Sequence, residues 1–265
     1  MIKYIIIVLT IAVYSCKPTD VKPTVVRSSI QEAKAQPMPP TIDPSITLDY
    51  CMGKFKPKQD ERFVPIASKY ADRDGMYLRK EAYEAFQKMY DAALKDGVKL
   101  VIRSATRNFD YQKGIWERKW SGKTTLSDGV NAAKDIPAEQ DRALKILNYS
   151  AMPGASRHHW GTDVDFNSFN NSYFESGAGL KIYQWLRAEG HNYGYCQPYT
   201  PKESGRSGYN EEKWHWSYTP LSKPLTAFVA LHLHDHNFAD FMGHQTAKEI
   251  EVVKNYVLGV DESCK

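Results

Sequence analysis

Apolar residues recur at helical spacing around Arg79 to Leu94, where Leu78, Ala82, Ala85, Phe86, Met89 and Ala93 form one stripe and Gly97 supplies a stop. Val98 to Ile102 follows as a compact, β-branched run that predicts a buried strand. Helical character returns over Phe109 to Trp120, and Pro137 opens a further helix through about Tyr149. Asp163 to Phe166 alternates like a short strand, Gly179 to Glu189 reads as a helix stopped at Gly190, and Trp214 to Tyr218 reads as a second strand. Thr246 to Leu258 predicts a final amphipathic helix. Helices followed by short strands among long loops predict an α+β fold, not a doubly wound sheet.

Before residue 47 the pattern changes. Lys3 gives a positive start and Ile5 to Val13 is apolar, about half the ~20 residues a membrane span needs. Residues 1–15 therefore read as a signal peptide. Val13, Ser15 and Cys16 resemble the lipobox of bacterial lipoproteins, with Tyr14 bulkier than usual. The competing reading is ordinary secretion with Cys16 unmodified. Acylation of Cys16 would anchor the chain to a bacterial membrane, on its extracytoplasmic side. Residues 16–46 are rich in Pro, Ser, Thr, Gln and Lys and have no apolar period, so they read as a disordered tether with a reach of roughly 30 Å. The folded domain spans 47–265.

With 265 residues and 42% apolar content, the chain can bury one substantial core or two small ones. The net charge of +4 is spread over scattered lysines, with no basic block or aromatic-basic motif, so nucleic acid is not an expected partner. Cys51, Cys196 and Cys264 leave an odd thiol if a disulfide forms. Cys51 with Cys264 is the favoured pair, since both lie at the edges of the folded region; the alternative is three free thiols.

Two segments carry the candidate chemistry. Ser156-Arg157-His158-His159-Trp160-Gly161-Thr162-Asp163-Val164-Asp165 and Glu212-Lys213-Trp214-His215-Trp216 supply imidazoles and carboxylates of the kind that bind catalytic zinc. Two imidazoles and one carboxylate leave the site net positive and a fourth position for water, whose pKa the metal lowers toward ~7. A nearby non-ligand glutamate can accept the water's proton. In a strand, Asp163 and Asp165 share a face, so residue geometry alone leaves either as the ligand. Glu212 can reach the same metal as His215 only from a turn before the strand, and Glu211 is its rival, expected in solvent.

These segments resemble the zinc D-Ala-D-Ala peptidases, the VanY-like D,D-carboxypeptidases and D,D-dipeptidases that share a fold with the hedgehog signalling domain. Ser156, His158, Gly161 and Asp165 match Ser-x-His-x-x-Gly-x-x-x-Asp; Glu212, His215 and Trp216 match Glu-x-x-His plus an aromatic; Ser104, Arg107 and Gln112 match an upstream Ser-x-x-Arg before a Gln. The resemblance runs from about Tyr77 to Tyr218. It implies a small antiparallel sheet carrying one zinc ion on His158, Asp165 and His215, with Glu212 as general base then acid. Arg107 would stabilise the oxyanion or hold a carbonyl, and Ser156 and Gln112 would hold the substrate backbone or terminal carboxylate. The implied substrate is a peptidoglycan stem peptide losing its terminal D-alanine. An endopeptidase or L,D-carboxypeptidase on the same polymer, distinguished by a loop such as Ser121 to Asp135, is the alternative enzyme; a non-catalytic, zinc-containing wall-binding protein is the alternative of another class. Asp163, Lys213 and Ala105-Thr106 depart from the family pattern.

Two further features compete for attention. His232, His234 and His236 form a spaced trio, but their surroundings read as helical, where only His232 and His236 align, so a solvated face or interface is expected there. Trp160 and Trp216 flank proposed ligands and would either shield the site or stack on sugar or peptide.

Overall fold

The computed structural model describes residues 46–265. The expected signal segment and Cys16 lie outside the described residues, as does nearly all of the expected tether.

In chain order the elements are α1 (Leu48–Cys51), β1 (Phe63–Pro65), β2 (Tyr77–Arg79), α2 (Lys80–Lys95), β3 (Ile102–Ser104), α3 (Phe109–Trp120), α4 (Ala132–Asp135), α5 (Glu139–Ile146), β4 (Asp163–Phe166), α6 (Gly177–Glu189), β5 (Tyr195–Cys196), β6 (His215–Tyr218), α7 (Thr219–His232) and α8 (Ala247–Ile250), with short 3-10 turns among them and a π-helical turn, Val253–Val257, after α8. β1 and β2 form an antiparallel pair, and a four-stranded antiparallel sheet runs in the order β3-β4-β6-β5. The fold is α+β. Among the described residues no helix is long and apolar enough to cross a membrane.

Strand alternation divides the sheet into an apolar and a polar face. In β4 and β6, Val164 pairs with Trp216, and both join Phe86 and Met89 of α2 and Leu186 of α6 in one buried core cluster. The intervening residues point the other way: Asp163 pairs with Ser217 and Asp165 with His215. A second core gathers Trp116 and Trp120 of α3, Ile146 of α5, Val229 of α7 and Trp160. The functional face is thus the polar side of a sheet whose other side is held by apolar packing.

Several expectations need correction. The strand expected over Val98 to Ile102 begins only at Ile102, because the backbone before it bonds to a side chain instead of a ladder. Asn167 accepts from Val101 N–H and donates to the Lys99 carbonyl, so no strand partner is needed there. The helix expected from Pro137 is confined to Glu139–Ile146. The single helix expected over Thr246 to Leu258 breaks after Ile250: Glu251 adopts the left-handed conformation (φ 52°), Asn255 donates to the Ile250 carbonyl, and Asp235 accepts from Val253 N–H. The helical surroundings read for the histidine trio belong to α7, which starts at Thr219 with Pro220 in its first turn. It ends at His232, so His232 and His236 do not share a helix; all three histidines of the trio are exposed, and His234 stacks on His236. The disulfide joins Cys196 to Cys264, and Cys51 is a buried free thiol, contrary to the favoured pairing. Cys51 is fixed beneath Trp160, whose Nε1 donates to its carbonyl, while the chain end folds back onto β5.

Candidate active site

His158, Asp165 and His215 reach one point from three directions. Asp165 and His215 are cross-strand partners on the polar face of the sheet. His158 comes from a 3-10 turn, Arg157–Trp160, that ends on Gly161 in the left-handed conformation (φ 71°). That glycine permits the reversal from turn to β4, and a Cβ there would lie 2.2 Å from the Phe63 ring. Each of the three residues offers one ligand atom, and these atoms lie within 4.8 Å of one another.

The hydrogen bonds around the imidazoles define which nitrogens face that point. His158 Nδ1 donates to the Ala105 carbonyl at 2.9 Å, which leaves the Nε2 lone pair inward. His215 Nε2 donates to Asp163 Oδ2 at 2.8 Å, so Nδ1 faces Asp165 and Glu212. His158 Nε2 and Asp165 Oδ1 are buried without a hydrogen-bond partner. Buried polar atoms that face one another unpaired are costly unless a ligand satisfies them. Two imidazole nitrogens and a carboxylate oxygen, with carboxylate or carbonyl groups on the far side of each ring, fit a divalent cation of the zinc type.

Asp163 has no acceptor site to spare for a metal. Its Oδ2 accepts from Arg157 Nε and His215 Nε2, and its Oδ1 from the Thr162 and Ser217 hydroxyls, which uses the ordinary capacity of a carboxylate. The residue orients His215 and is itself fixed by Arg157, a fully buried guanidinium that also donates to Thr226 and Ser217. Sequence reasoning missed this Arg157–Asp163 support, since Arg157 carried no signal beyond its place in the motif.

Burial and charge set the protonation of the group. Burial alone would raise Asp163, but Arg157 and His215 hold it well below the usual carboxylate range. Burial likewise opposes ionisation of Asp165, which His158 and His215 overcome, lowering it. His158 is pushed down by burial and then by Arg107, which favours the neutral, ligating imidazole. Burial pulls His215 down as well, yet hydrogen bonds to Asp163 and Glu212 carry it to about 9. His159, the second histidine of the pair, is turned away: Nδ1 donates to the Arg107 carbonyl, Nε2 accepts from Gly154 N–H, and burial lowers its pKa to about 3.

Glu212 sits in the turn before β6, where His215 N–H donates to its carbonyl and its Oε2 lies 3.1 Å from His215 Nδ1. The backbone of Glu212 is held by the Tyr199 carbonyl and by Gln197 Nε2, and burial raises its pKa. Glu211 is half-buried against Tyr183 and does not line the site.

A cleft of about 650 Å³ opens over Asp165 and Glu212; Arg107, Lys119, Tyr149, Phe169 and Trp214 contribute to its wall. Leu126, Ser127 and Asp128 also line it; the loop expected over 121–135 ends in α4. Ser156 is buried beside His158. Gln112 is buried and does not line the cleft; its Nε2 donates to the Ala151 carbonyl and its Oε1 has no partner. Trp160 and Trp216 are packed away from the cleft, 1% and 3% exposed, with their N–H groups on backbone carbonyls, so neither offers a stacking surface.

A family model described as VanY, D-alanyl-D-alanine carboxypeptidase, matches residues 75–221, more than half of the chain. Over 147 residues the chain is 31% identical to a protein of Bacillus subtilis named as a carboxypeptidase, YodJ, an alignment covering 54% of this chain and 46% of that protein. Over 135 residues it is 28% identical to a D-alanyl-D-alanine carboxypeptidase of Enterococcus faecalis, covering 51% and 46% respectively. The alignments thus span less than half the length of these two relatives. A solved structure of a vancomycin resistance D,D-pentapeptidase VanY mutant in complex with Zn(II) has a TM-score of 0.44 and 25% identity, covering 62% of this chain and 88% of that one.

Proposed function

The chain belongs to the VanY D-alanyl-D-alanine carboxypeptidase family, and from that premise we propose that it is a zinc-dependent peptidase removing the terminal D-alanine from peptidoglycan stem peptides. The observation that carries the proposal is the inward convergence of His158 Nε2, Asp165 Oδ1 and His215 Nδ1 beside a buried Glu212. Zinc, when bound, supplies Lewis acidity and lowers the pKa of water toward ~7.

The chain's own residues supply the rest. Glu212 accepts a proton from the attacking water and delivers it to the leaving amine nitrogen. Arg107, whose Nε is buried without a partner, turns a fixed positive charge toward the cleft where negative charge develops on the scissile carbonyl. Ala105 and Asp163 keep the imidazoles in the tautomers that ligation needs. Gln112 and Ser156, assigned to the substrate by the family resemblance, are both buried and do not line the cleft, so any hold they have on the substrate is indirect.

Incubation with a defined stem pentapeptide, with and without a chelator, tests this. Loss of one alanine that stops on chelation and returns with zinc is expected. Release of a larger fragment would replace the proposal by an endopeptidase, and no cleavage in any metal-loaded sample would remove it. The same reading puts the enzyme outside the cytoplasm, tethered through acylated Cys16; Cys16→Ser should then shift it from the membrane to the soluble fraction.

A further inference from the structure

Three cationic side chains line the wall of the cleft: Arg107, Lys119 and Lys145. Lys145 is paired with Asp128 at 2.6 Å. Among the described residues, neither Arg107 nor Lys119 has an acidic side chain within ion-pair distance. Lys119 lies on α3, one helical turn after Ile115 of the same wall, and donates to the Ser150 hydroxyl. A neutral hydroxyl does not compensate an ammonium withdrawn from water. Burial, and then the charge of Arg107, lower its pKa, with only Glu212 acting in the other direction. The folded protein therefore holds a lysine in an environment that an anion would relieve.

We propose that Lys119 binds the free C-terminal carboxylate of the residue that leaves, and thereby makes the enzyme select chain ends over internal bonds. The assignment rests on the peptidase reading above. A residue spans about 3.3–3.6 Å, so the terminal carboxylate is the only anion within one residue of the scissile bond on the leaving side. Lys119 shares the cleft with Asp165 and Glu212, where that bond must lie. Gln112 is poorly suited to hold that carboxylate, because it is buried and is not among the residues that line the cleft. A cation with one donor on Ser150 retains others for a ligand.

The test uses the full-length, zinc-loaded protein and two stem-type pentapeptides, one ending in a free D-alanine acid and the other in the corresponding amide. The unmodified enzyme should favour the acid in kcat/KM. Lys119→Met should raise KM for the acid by about 10- to 100-fold, the range for one charge-assisted hydrogen bond. Its kcat should change little, and the acid-over-amide preference should collapse. Lys119→Arg should keep most of that preference. An unchanged acid-to-amide ratio in Lys119→Met would overturn the assignment. Should that variant not fold, Lys119→Gln keeps a donor for Ser150 without the charge and carries the same comparison. If the unmodified protein cleaves neither peptide, the peptidase reading fails, and calorimetric binding of the two peptides decides the role of Lys119 separately. An acid preference that disappears in Lys119→Met supports it; equal binding, or none, refutes it.

Discussion

Asp163 and His215 meet on adjacent strands, Oδ2 to Nε2 at 2.8 Å, and the contact fixes which face of the imidazole is available. The carboxylate is no substitute ligand, since all of its acceptor capacity is engaged. It determines the tautomer of one.

Asp163→Asn should therefore weaken metal binding through His215, whose Nε2 it holds. The amide cannot balance Arg157, which is fully buried, and it presents a donor to Arg157 or His215 in some orientation. Zinc affinity should fall about 10- to 100-fold, and stability should fall by about 3–5 kcal/mol because a buried charge loses its partner. Competition titration with a chromophoric chelator and denaturant unfolding measure the two effects. Unchanged affinity would remove the orienting role.

Glu212→Gln and His215→Ala should separate chemistry from metal. Glu212→Gln should retain zinc and fold, yet lose at least about 100-fold in kcat, the contribution of a positioned proton acceptor. His215→Ala should lose the metal itself. Metal content by atomic absorption, alongside stem-peptide turnover, gives the comparison; full activity in Glu212→Gln would exclude it as the proton carrier.

Cys51 should make stability fall at high pH. Burial pushes its thiol from the ordinary 9.0 to about 12. Since the folded pKa is the higher, the neutral thiol favours folding; its contribution is complete below pH 9 and is lost as pH rises toward 12. The unfolding midpoint of the unmodified protein should drop more steeply between pH 9 and about 11 than that of Cys51→Ala. Native protein near neutral pH should also resist alkylation at this residue, as read by peptide mass mapping, and should react once unfolded.

The Cys196–Cys264 bridge should stabilise the side of the site that carries Glu212. Its strand residue precedes Gln197 and Tyr199, which hold the Glu212 backbone, and Asp261 near the chain end binds the Pro198 carbonyl and the Thr200 hydroxyl. Cys264→Ser should cost about 2–5 kcal/mol, measured as a lower melting temperature under oxidising conditions. Under reducing conditions the two proteins should converge.

The sequence alone determined the features that are local. The spacing of apolar residues sufficed for α3, α6 and the short strands β4 and β6, and alternation put Asp163 and Asp165 on one face. It also required Glu212 to sit in a turn, and the His215 N–H bond to the Glu212 carbonyl closes that turn. Tertiary structure decided the rest. Asp163 and Asp165 are indistinguishable within their own strand; they differ because Arg157, Thr162, Ser217 and His215 converge on one and leave an oxygen of the other unpartnered. Lys119 reads as an ordinary surface lysine until Ser150 and Arg107 are folded beside it. The disulfide and the Asp235 bond to Val253 beyond the break after Ile250 are likewise set by partners distant in the chain. Periodicity reports only neighbours within a turn or a strand, whereas the desolvation and pairing that tell one carboxylate from another come from atoms brought together by the fold.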